Sequence, residues 1–474
     1  MSEKTWENYK ETKAAKPSPL KGIKVLEVCT MLLGPIGPAL LAQLGAEVYR
    51  CEIPPLGDAT RSLNPFGWFL KDQSALLLHI NQNKYWLGLD LHKPEARRVF
   101  CELAARCDIV ENNFRPGVME EWGIGYRQIQ EINPRIIFLS KNGYGQWGQY
   151  AKENRPSNDG ASQALTGYSW MSRWPGQTPL KQRAYVGDNY GGLCAEIAVL
   201  AALHHRDRTG KGQYIEFSQT ENVMRTMSWI WPYQQLAGKP AQPSGNRDLS
   251  VCPADTFRCI DETFVALAAP APGEFAGLCK AMGKPELAQD PRFQDHTVRL
   301  REENAVAILK IIADWVKTRK AGEIEALAEE YGFAATHLYT AKDLVENEQF
   351  RAHDFWSEID DPLLGTYNNY EFPVKMSESP PKTMWSVRPV GFDNEFIMQG
   401  ILGKTDAEIQ QLYQCGALGK WGDAQGRRPP PDWDGKAGLI LKHEECQPAN
   451  EEKQYGQQEA AGLVGVVKLD QGKR

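Results

Sequence analysis

The sequence has no hydrophobic run long enough to span a membrane and no excess of positive charge. A membrane-spanning helix needs ~18 or more consecutive apolar residues, and every apolar stretch here is shorter. Lys and Arg total 54 against 60 Asp and Glu, which gives a net charge of −6. A nucleic-acid binder usually presents a basic face. We therefore expect neither a membrane nor a nucleic acid as a partner.

Disulfide and metal patterns are also missing. The ten cysteines form no C-x-x-C pair and the eight histidines show no H-x-x-x-H spacing, so we predict no metal site. The opening residues, MSEKTWENYKETKAAK, are polar and lack the apolar core of a secretory leader. These absences predict reduced thiols in a cytoplasmic protein.

What is present is an ordinary enzyme-like composition, with 42% hydrophobic and 24% charged residues in a chain of 474. This length predicts two or three domains of ~100–200 residues each. Near the start, Ile23–Cys29 and Ala46–Cys51 have the length of strands. Between them a helix is predicted over Ala39–Leu44, after the interruptions Gly34–Pro35 and Gly37–Pro38. A strand, a helix and a strand in this order predict a parallel pair.

The same alternation continues along the first third of the chain. Strands are predicted at Leu87–Leu91, Asp108–Val110 and Arg135–Ser140, and helices at Pro94–Arg106 and Tyr126–Ile132. Repeated alternation predicts an α/β fold, a doubly wound parallel sheet with helices on both faces.

Later segments predict a second, smaller domain. Cys252–Ala269 alternates like a hairpin, while Glu221–Leu236 and Arg301–Lys317 have helical patterns. We expect a large domain built from both chain ends (residues 20–225 and 335–418), a smaller α+β domain (226–334), and an extended tail (419–474) that contains Pro429–Pro431.

A G-x-G-x-x-G pattern occurs at Gly143, Gly145 and Gly148, just after a predicted strand. A dinucleotide site would require a helix whose N-terminus holds the pyrophosphate. The residues that follow have no apolar face and contain Pro156. A glycine-rich turn is therefore the favoured interpretation.

The segment Arg183–Glu221 is more informative. Asp188 stands at the start of an otherwise apolar helix, where it could be a helix N-cap. Gly191 and Gly192 weaken the first turns of that helix and are poorly explained by capping. Glycines would instead let a ligand approach the backbone beside the carboxylate. Both interpretations remain open from the residues alone.

Seven blocks of sequence follow one another in a characteristic order. They are GIKVLEVCTMLLGP, LGAEVYRCEIPPLGDATR, NQNKYWLGLDL, DIVENNFRPG, INPRIIFLSKNGYG, GDNYGGLCAEIAVLAALHHRDRTGKGQ and ELAQDPRF. Together they resemble the class III CoA-transferases, the superfamily of formyl-CoA transferase, carnitine CoA-transferase and α-methylacyl-CoA racemase. The resemblance covers about residues 20–418. It implies an interlocked homodimer, or a heteromer with a paralogous subunit.

The resemblance implies reversible transfer of CoA from an acyl-CoA donor to a carboxylic acid acceptor, without a metal. The family's nucleophilic aspartate falls on Asp188, which would form an aspartyl anhydride and then an aspartyl-CoA thioester. Backbone N–H groups of Gly187 and Asn189 would stabilise the oxyanion. Asp159 matches a second acidic position and would orient the reacting centre, although a plain turn at Asn158–Asp159–Gly160 is an equal alternative.

For CoA, the resemblance points to residues that follow the predicted strands. They are Leu32, Leu33, Gly34, Leu89, Asn113, Phe114 and Arg115. Arg115 suits a phosphate because the guanidinium is a permanent cation with a fork of donors. Lys141 and Arg155 are weaker candidates, for which a solvated surface charge is the alternative.

Departures from the family pattern define the alternative functions. Glu121 stands where many members have a basic residue, Ile53 where some have arginine, and the glycine-rich lid is reduced to Ser244–Gly245–Asn246. A catalytically silent CoA-binding subunit therefore remains an alternative. An acyl-CoA racemase is disfavoured because Asn158, in place of the family's histidine, cannot move a proton near neutral pH.

The middle of the chain is rich in aromatic residues. They are Tyr168, Trp170, Trp174, Trp229, Trp231 and Tyr233. Core packing or a dimer contact is one interpretation, and a pocket for a bulky or aromatic acceptor acid is the other. The sequence does not select the donor or the acceptor.

Overall fold

The computed structural model describes residues 12–61, 63, 69–70, 73–361 and 364–421. The predicted tail, residues 419–474, lies outside this range apart from 419–421. The described residues gather into two compact units. The first unit takes the residues up to Pro156, Asp188–Gln219 and the residues from Ser357 onward, and the second takes Ser157–Gly187 and Thr220–Trp356.

The strands are numbered in chain order. They are β1 (Lys24–Val28), β2 (Glu47–Glu52), β3 (Phe69–Leu70), β4 (Gln73–Ser74), β5 (Lys84–Gly88), β6 (Ile109–Asn112), β7 (Ile137–Asn142), β8 (Gln213–Ser218), β9 (Ala254–Arg258), β10 (Phe264–Ala268), β11 (Ala334–His337), β12 (Trp356–Asp361) and β13 (Gly365–Tyr370).

The α-helices are numbered in the same way. They are α1 (Leu33–Gln43), α2 (Ala75–Ile80), α3 (Pro94–Ala104), α4 (Val118–Glu121), α5 (Tyr126–Ile132), α6 (Gln149–Lys152), α7 (Asp159–Leu165), α8 (Tyr168–Met171), α9 (Val186–Thr209), α10 (Gln219–Thr226), α11 (Ile230–Ala237), α12 (Pro272–Ala281), α13 (His296–Arg299), α14 (Glu302–Val316), α15 (Ala321–Tyr331), α16 (Ala341–Glu346), α17 (Glu348–Ala352) and α18 (Asp406–Gln414).

The first unit is built on a six-stranded sheet in the order β5-β2-β1-β6-β7-β8, and every neighbouring pair is parallel. Successive strand residues face opposite sides. Leu26 packs with helices α3, α5 and α18 on one face, and Val25 packs with helices α1 and α9 on the other. The predicted α/β fold with a parallel sheet is therefore confirmed.

The sheet reverses its strand order between β1 and β6. From β1 the chain adds β2 and β5 on one side, then returns to add β6, β7 and β8 on the other. In such sheets the crevice at the carboxyl ends of the strands, beside the reversal, is the usual ligand site. This directs attention to the segments that follow β1, β5, β6 and β8.

Helix α1 begins earlier than the prediction of Ala39–Leu44, since it runs over Leu33–Gln43 with Pro38 inside it. Pro35 lies in the first turn, where a missing N–H costs no helix bond. Pro38 leaves the carbonyl of Gly34 without its helical donor, and the buried ammonium of Lys141 donates to that oxygen at 2.8 Å. A distant lysine thus replaces the hydrogen bond that the proline removes.

The second unit contains a three-stranded antiparallel sheet in the order β11-β10-β9. Strands β9 and β10 form a hairpin within the segment predicted as one, and helices α12, α14 and α15 cover the sheet in a single apolar core. The predicted helix Glu221–Leu236 is wrong as one element, because it divides into α10 and α11. Pro232 lies in the first turn of α11, which favours a new helix start there.

Candidate active site

Most predicted CoA-binding residues lie at one edge of the sheet of the first unit. Leu32–Gly34 follow β1, Leu89 follows β5 and Asn113–Arg115 follow β6. Because the strands are parallel, their carboxyl ends meet at the same edge. The fold therefore collects segments that are separated by as many as 83 positions in the sequence, from Leu32 to Arg115.

A pocket opens at this edge within the first unit. The residues that line it are Val28, Cys29, Thr30, Cys51, Glu52, Ile53, Gly57, Asp58, Leu89, Leu91, His92, Phe114 and Trp122. Burial raises the pKa of the Cys29 and Cys51 thiols, so both are neutral at physiological pH. The wall is therefore mostly apolar, as in pockets that hold organic ligands.

Three aromatic rings stand in a row on one side of this pocket. Phe114 and His92 each meet the ring of Trp122 edge-on, at centroid distances of 5.3 Å. The ring nitrogen Nδ1 of His92 donates a 2.7 Å hydrogen bond to Oδ1 of Asp90. Phe114 is one of the residues that the family resemblance predicts, whereas His92 and Trp122 were not predicted. Trp122 could have been found from the sequence because it directly follows Glu121, where many family members have a basic residue.

The turn between β1 and α1 is fixed by the predicted residue Asn113. Its side chain accepts from the N–H of Thr30 at 2.8 Å and donates to the carbonyl of Thr30 at 2.7 Å. A Cβ at Gly34 would overlap the side chains of Cys29 and Asn113. Glycine is therefore required at position 34 for the helix to begin this close to the neighbouring segment.

Lys141 is not a surface charge, so that interpretation is wrong. It is fully buried in β7, and its ammonium donates to Glu111 at 2.6 Å as well as to the Gly34 carbonyl. Burial alone would lower the pKa of Lys141, but the charge of Glu111, its hydrogen bond and the other acidic groups nearby together raise it. Lys141 therefore acts beneath the turn, where it holds the first residues of α1.

Glu196, on helix α9, completes this buried group. Its Oε1 lies 3.6 Å from the Lys141 ammonium, and no described residue donates a hydrogen bond to either of its oxygens. Burial and the neighbouring Glu111 raise the pKa of Glu196 well above its ordinary value. A proton on Glu196, donated to Glu111, would satisfy the unpaired oxygen of Glu111 and one of the two unpaired oxygens of Glu196.

A second buried ion group supports the same turn. Arg50 forms ion pairs with Glu27, Glu52 and Asp58, at 2.9 Å to Glu52 and 2.7 Å to Asp58. Asp58 in turn accepts the N–H of Met31 at 2.9 Å, directly before Leu32. Charges that are buried and paired in this way restrict movement, so the β1–α1 turn is held from two sides.

Asp188 lies in the first turn of α9, two residues after the helix begins. It is therefore not the N-cap, and the capping interpretation is wrong. Its side chain is only 7% exposed, and its Oδ1 accepts a 2.5 Å hydrogen bond from the side-chain amide of Gln219. Gln219 follows β8 directly and was not selected from the sequence.

Gly191 and Gly192 serve helix packing, so the expectation that they admit a ligand is wrong. A Cβ at Gly191 would overlap Leu33, and one at Gly192 would overlap Ile36. The first turns of α9 therefore press directly on α1. As a result Leu33, a predicted CoA-binding residue, lies within one helical turn of Asp188.

Asp159 belongs to the second unit and is also buried. Asn158 caps helix α7 by accepting from the N–H of Ala161 at 2.9 Å, so the plain-turn interpretation is wrong. Asp159 accepts from the Gln163 side chain at 2.7 Å and from the N–H of Gly187 at 2.8 Å.

Since the N–H of Gly187 is already bonded to Asp159, it is not available to bind an oxyanion in this structure. Gly187 instead connects Asp159 to the backbone immediately before Asp188. Asn189, Arg115 and Arg155 are exposed. Arg155 lies over the ring of Tyr150 at 4.4 Å.

Five of the six aromatic residues selected in the middle of the chain are not core residues. Trp170, Trp174, Trp229, Trp231 and Tyr233 are exposed, whereas Tyr168 is half-buried. Arg173 lies over the ring of Trp170 at 3.6 Å. Gly245, in the predicted lid remnant, approaches Trp174 so closely that a Cβ would overlap the ring. Core packing is therefore excluded for the five exposed rings.

None of the described helices is both long and apolar enough to cross a membrane. Among the same residues, no group of His, Cys, Asp and Glu side chains is arranged to hold a metal ion.

Comparisons with known proteins identify the family. The model of CoA-transferase family III matches residues 20–394. Succinyl-CoA–D-citramalate CoA-transferase of Chloroflexus aurantiacus is 31% identical, covering 84% of this chain and 97% of that protein. The beta subunit of succinyl-CoA–L-malate CoA-transferase from the same organism is 33% identical, covering 83% and 96%.

A solved structure agrees with these relatives. A CAIB/BAIF family protein from Brucella suis is 27% identical, superposes with a TM-score of 0.73, and covers 82% of this chain and 100% of that one. These comparisons define an enzyme of acyl-CoA chemistry. The chain belongs to CoA-transferase family III.

Proposed function

We propose that this enzyme moves CoA reversibly from an acyl-CoA donor to a carboxylic acid acceptor, with Asp188 as the covalent carrier. The observation that carries the proposal is the burial of the Asp188 carboxylate beside the β1–α1 turn of the first unit. A carboxylate is ionised at neutral pH but is a weak nucleophile in water. Exclusion of water increases its reactivity, and fixed hydrogen-bond donors stabilise the oxyanion that develops during the attack.

The first half of the reaction uses the donor. One oxygen of Asp188 attacks the thioester carbonyl and expels CoA as a thiolate, which leaves a mixed anhydride. The thiolate then attacks the Asp188 carbonyl carbon and expels the donor acid. The product of this half is an aspartyl-CoA thioester, so the energy of the thioester is retained.

The second half reverses these steps with the acceptor. The acceptor carboxylate attacks the aspartyl thioester, expels the thiolate and forms a second anhydride. The thiolate attacks the acceptor's carbonyl carbon, which yields the new acyl-CoA and restores the Asp188 carboxylate. Asp159 orients this chemistry through the N–H of Gly187, directly before the nucleophile.

We assign CoA to the pocket at the sheet edge of the first unit. Leu89 and Phe114 supply apolar wall, and Arg115, exposed beside Phe114, supplies a cation for phosphate. Leu32, Leu33 and Gly34 form the turn that leads toward Asp188. Lys141 acts indirectly, by fixing the Gly34 carbonyl, and Arg155 supplies a second exposed cation.

The relatives direct the choice of substrates to test. Both curated relatives named above are succinyl-CoA transferases that act on a small hydroxy-dicarboxylic acid, so succinyl-CoA is the first donor and short dicarboxylates are the first acceptors. The exposed tryptophans of the second unit make aromatic acids the second class of acceptor.

We propose that the active form contains two chains, either identical or paralogous. Helix α9 exposes the large apolar side chains of Tyr190, Leu193, Ile197 and Leu200, which share one face at helical spacing. Such a stripe on a soluble helix marks a protein contact. Sedimentation should give a dimer for the unaltered chain, and Ile197→Glu should produce monomers. A monomeric, fully active chain would contradict the assignment.

A catalytically silent CoA-binding subunit is the second candidate, because one relative is a subunit of a two-subunit enzyme. The racemase alternative has no support, since Asn158 is committed to capping α7. One experiment separates the remaining candidates. The purified chain is mixed with succinyl-CoA in the absence of acceptor, and the Asp188 peptide is examined by mass spectrometry before and after borohydride.

An active carrier should show a CoA adduct on Asp188 that borohydride removes by reduction. Asp188→Asn should show no adduct, and Asp207→Asn, an exposed aspartate on the same helix, should label normally. An unlabelled Asp188 in the unaltered chain would favour the silent subunit.

A further inference from the structure

The amide of Gln219 touches the reacting carboxylate and has no role in the assignments above. It is 2% exposed, and its Nε2 lies 2.5 Å from Asp188 Oδ1. Since an ionised carboxylate only accepts hydrogen bonds, the amide must present its N–H group. A buried donor is therefore aimed at one specific oxygen of the nucleophile.

The position of Gln219 in the fold is well suited to a fixed donor. It is the residue immediately after β8, and it opens helix α10. Strand β8 is hydrogen-bonded along its length to β7, with Ser218 paired to Asn142. A side chain on such a support is placed more precisely than one on a mobile loop.

The chemistry of the proposed relay requires a donor at this oxygen. In two of its four additions the attacked carbon belongs to Asp188 itself, first when thiolate attacks the anhydride and then when the acceptor attacks the thioester. Each addition makes the Asp188 carbon tetrahedral and turns its carbonyl oxygen into an oxyanion. A donor placed beforehand at that oxygen lowers the barrier of both steps.

We propose that Gln219 is a catalytic residue that stabilises the oxyanion formed on the Asp188 carboxyl group. Gln219 holds Oδ1 while the other oxygen attacks the acyl carbonyl, and it donates to the same Oδ1 when negative charge returns there. A neutral amide suits both tasks. A cation would bind the free carboxylate more strongly and would weaken it as a nucleophile.

The test measures formation of the aspartyl-CoA adduct in single turnover, by rapid mixing with succinyl-CoA and intact-protein mass. Gln219→Met keeps the length of the side chain and removes the donor. We expect adduct formation to slow by ~10²–10³-fold, the usual cost of losing one oxyanion donor, with unchanged affinity for acyl-CoA. Gln219→Glu should recover activity as the pH falls, because a protonated carboxyl again donates.

The matched control is Gln43→Met, which removes another buried glutamine amide, bonded to Gln82 at 2.8 Å at the far end of α1. It should lower thermal stability and leave the rate of adduct formation unchanged. The inference rests on the proposed function, and the two fail differently. No adduct in the unaltered protein overturns both. A normal adduct there, together with unaltered rates and pH dependence in both Gln219 variants, overturns the role of Gln219 alone.

Discussion

Asp159 and Asp188 occupy similar surroundings and are suited to different tasks. Each is buried near the start of a helix, and each accepts a hydrogen bond from a glutamine amide. The glutamine of Asp159 is four residues away on the same short helix, whereas that of Asp188 is 31 residues away, at the end of a sheet strand.

The other contacts of Asp159 explain the difference. Its second oxygen accepts the backbone N–H of Gly187, and Lys181 lies 3.8 Å away. Both oxygens of Asp159 thus accept hydrogen bonds from other groups of the protein. The comparison shows that burial and an amide donor do not by themselves make a nucleophile. What distinguishes Asp188 is its position on α9, one helical turn before Gly191, which packs against Leu33 of α1.

The sharpest test of this contrast is Asp188→Asn. An amide cannot carry the acyl group, so turnover should fall by at least ~10⁴-fold, as for loss of other catalytic nucleophiles. Binding of CoA, measured by calorimetry, should persist because the pocket residues are untouched. Turnover near the unaltered level would remove Asp188 from the mechanism.

Asp159→Asn should have a smaller effect of another kind. The new amide can still accept from Gly187, but it presents N–H groups to the amide of Gln163, and one of the two must rotate. The backbone before Asp188 then shifts, and a misplacement of about 1 Å costs ~10²-fold in rate. The adduct on Asp188 should still form, only more slowly. Complete loss of the adduct would show that Asp159 is as essential as Asp188 for adduct formation, which would contradict the proposed difference.

Gln163→Met should mainly affect stability. Gln163 also accepts from the N–H of Gln182 at 2.9 Å and donates to its carbonyl at 3.1 Å. Loss of these buried bonds should cost about 1–3 kcal/mol in the free energy of unfolding, measured by urea denaturation. The contrast with Gln219→Met, which should mainly slow the chemistry, separates a structural glutamine from a catalytic one.

Glu196 extends the comparison to a third buried carboxyl, eight residues after Asp188 on the same helix. Burial and Glu111 raise its pKa, so the folded state binds this proton more tightly than the unfolded state. Stability should therefore fall as the pH rises above the ordinary value of ~4.3. Glu196→Gln removes this loss, so the urea midpoint of the variant should rise relative to that of the unaltered protein as the pH increases above ~4.3. Parallel pH curves would show that Glu196 is ionised.

The sequence predicted the sheet well because alternating strands and helices leave a local signal. The bounds of α5 agree with the predicted helix Tyr126–Ile132, and the family resemblance selected Asp188 as the candidate nucleophile. Local signals failed where a distant group completes the structure. Helix α1 includes two prolines that were predicted to interrupt it. The helix tolerates them because Lys141, 107 residues away, donates a hydrogen bond to the carbonyl of Gly34.

Partners that are distant in the sequence also explain why Lys141 was interpreted as a surface charge and why Gln219 was not predicted. Lys141 looked like a surface charge because its partner Glu111 lies 30 residues earlier in the chain. Gln219 looked like an ordinary polar residue after a strand, since nothing near it in the sequence refers to Asp188. Contacts between the ends of parallel strands are set by topology, and topology is not visible in a short window of sequence.

The most direct measurement of the central claim follows oxygen through the reaction. In the second half of the relay, an oxygen of the acceptor's carboxylate becomes the bridge of the anhydride and stays on the aspartate. Turnover with an ¹⁸O-labelled acceptor should therefore leave ¹⁸O in the Asp188 peptide, detected by mass spectrometry, and in no other aspartate. Sustained turnover that leaves this peptide unlabelled would contradict the covalent role of Asp188.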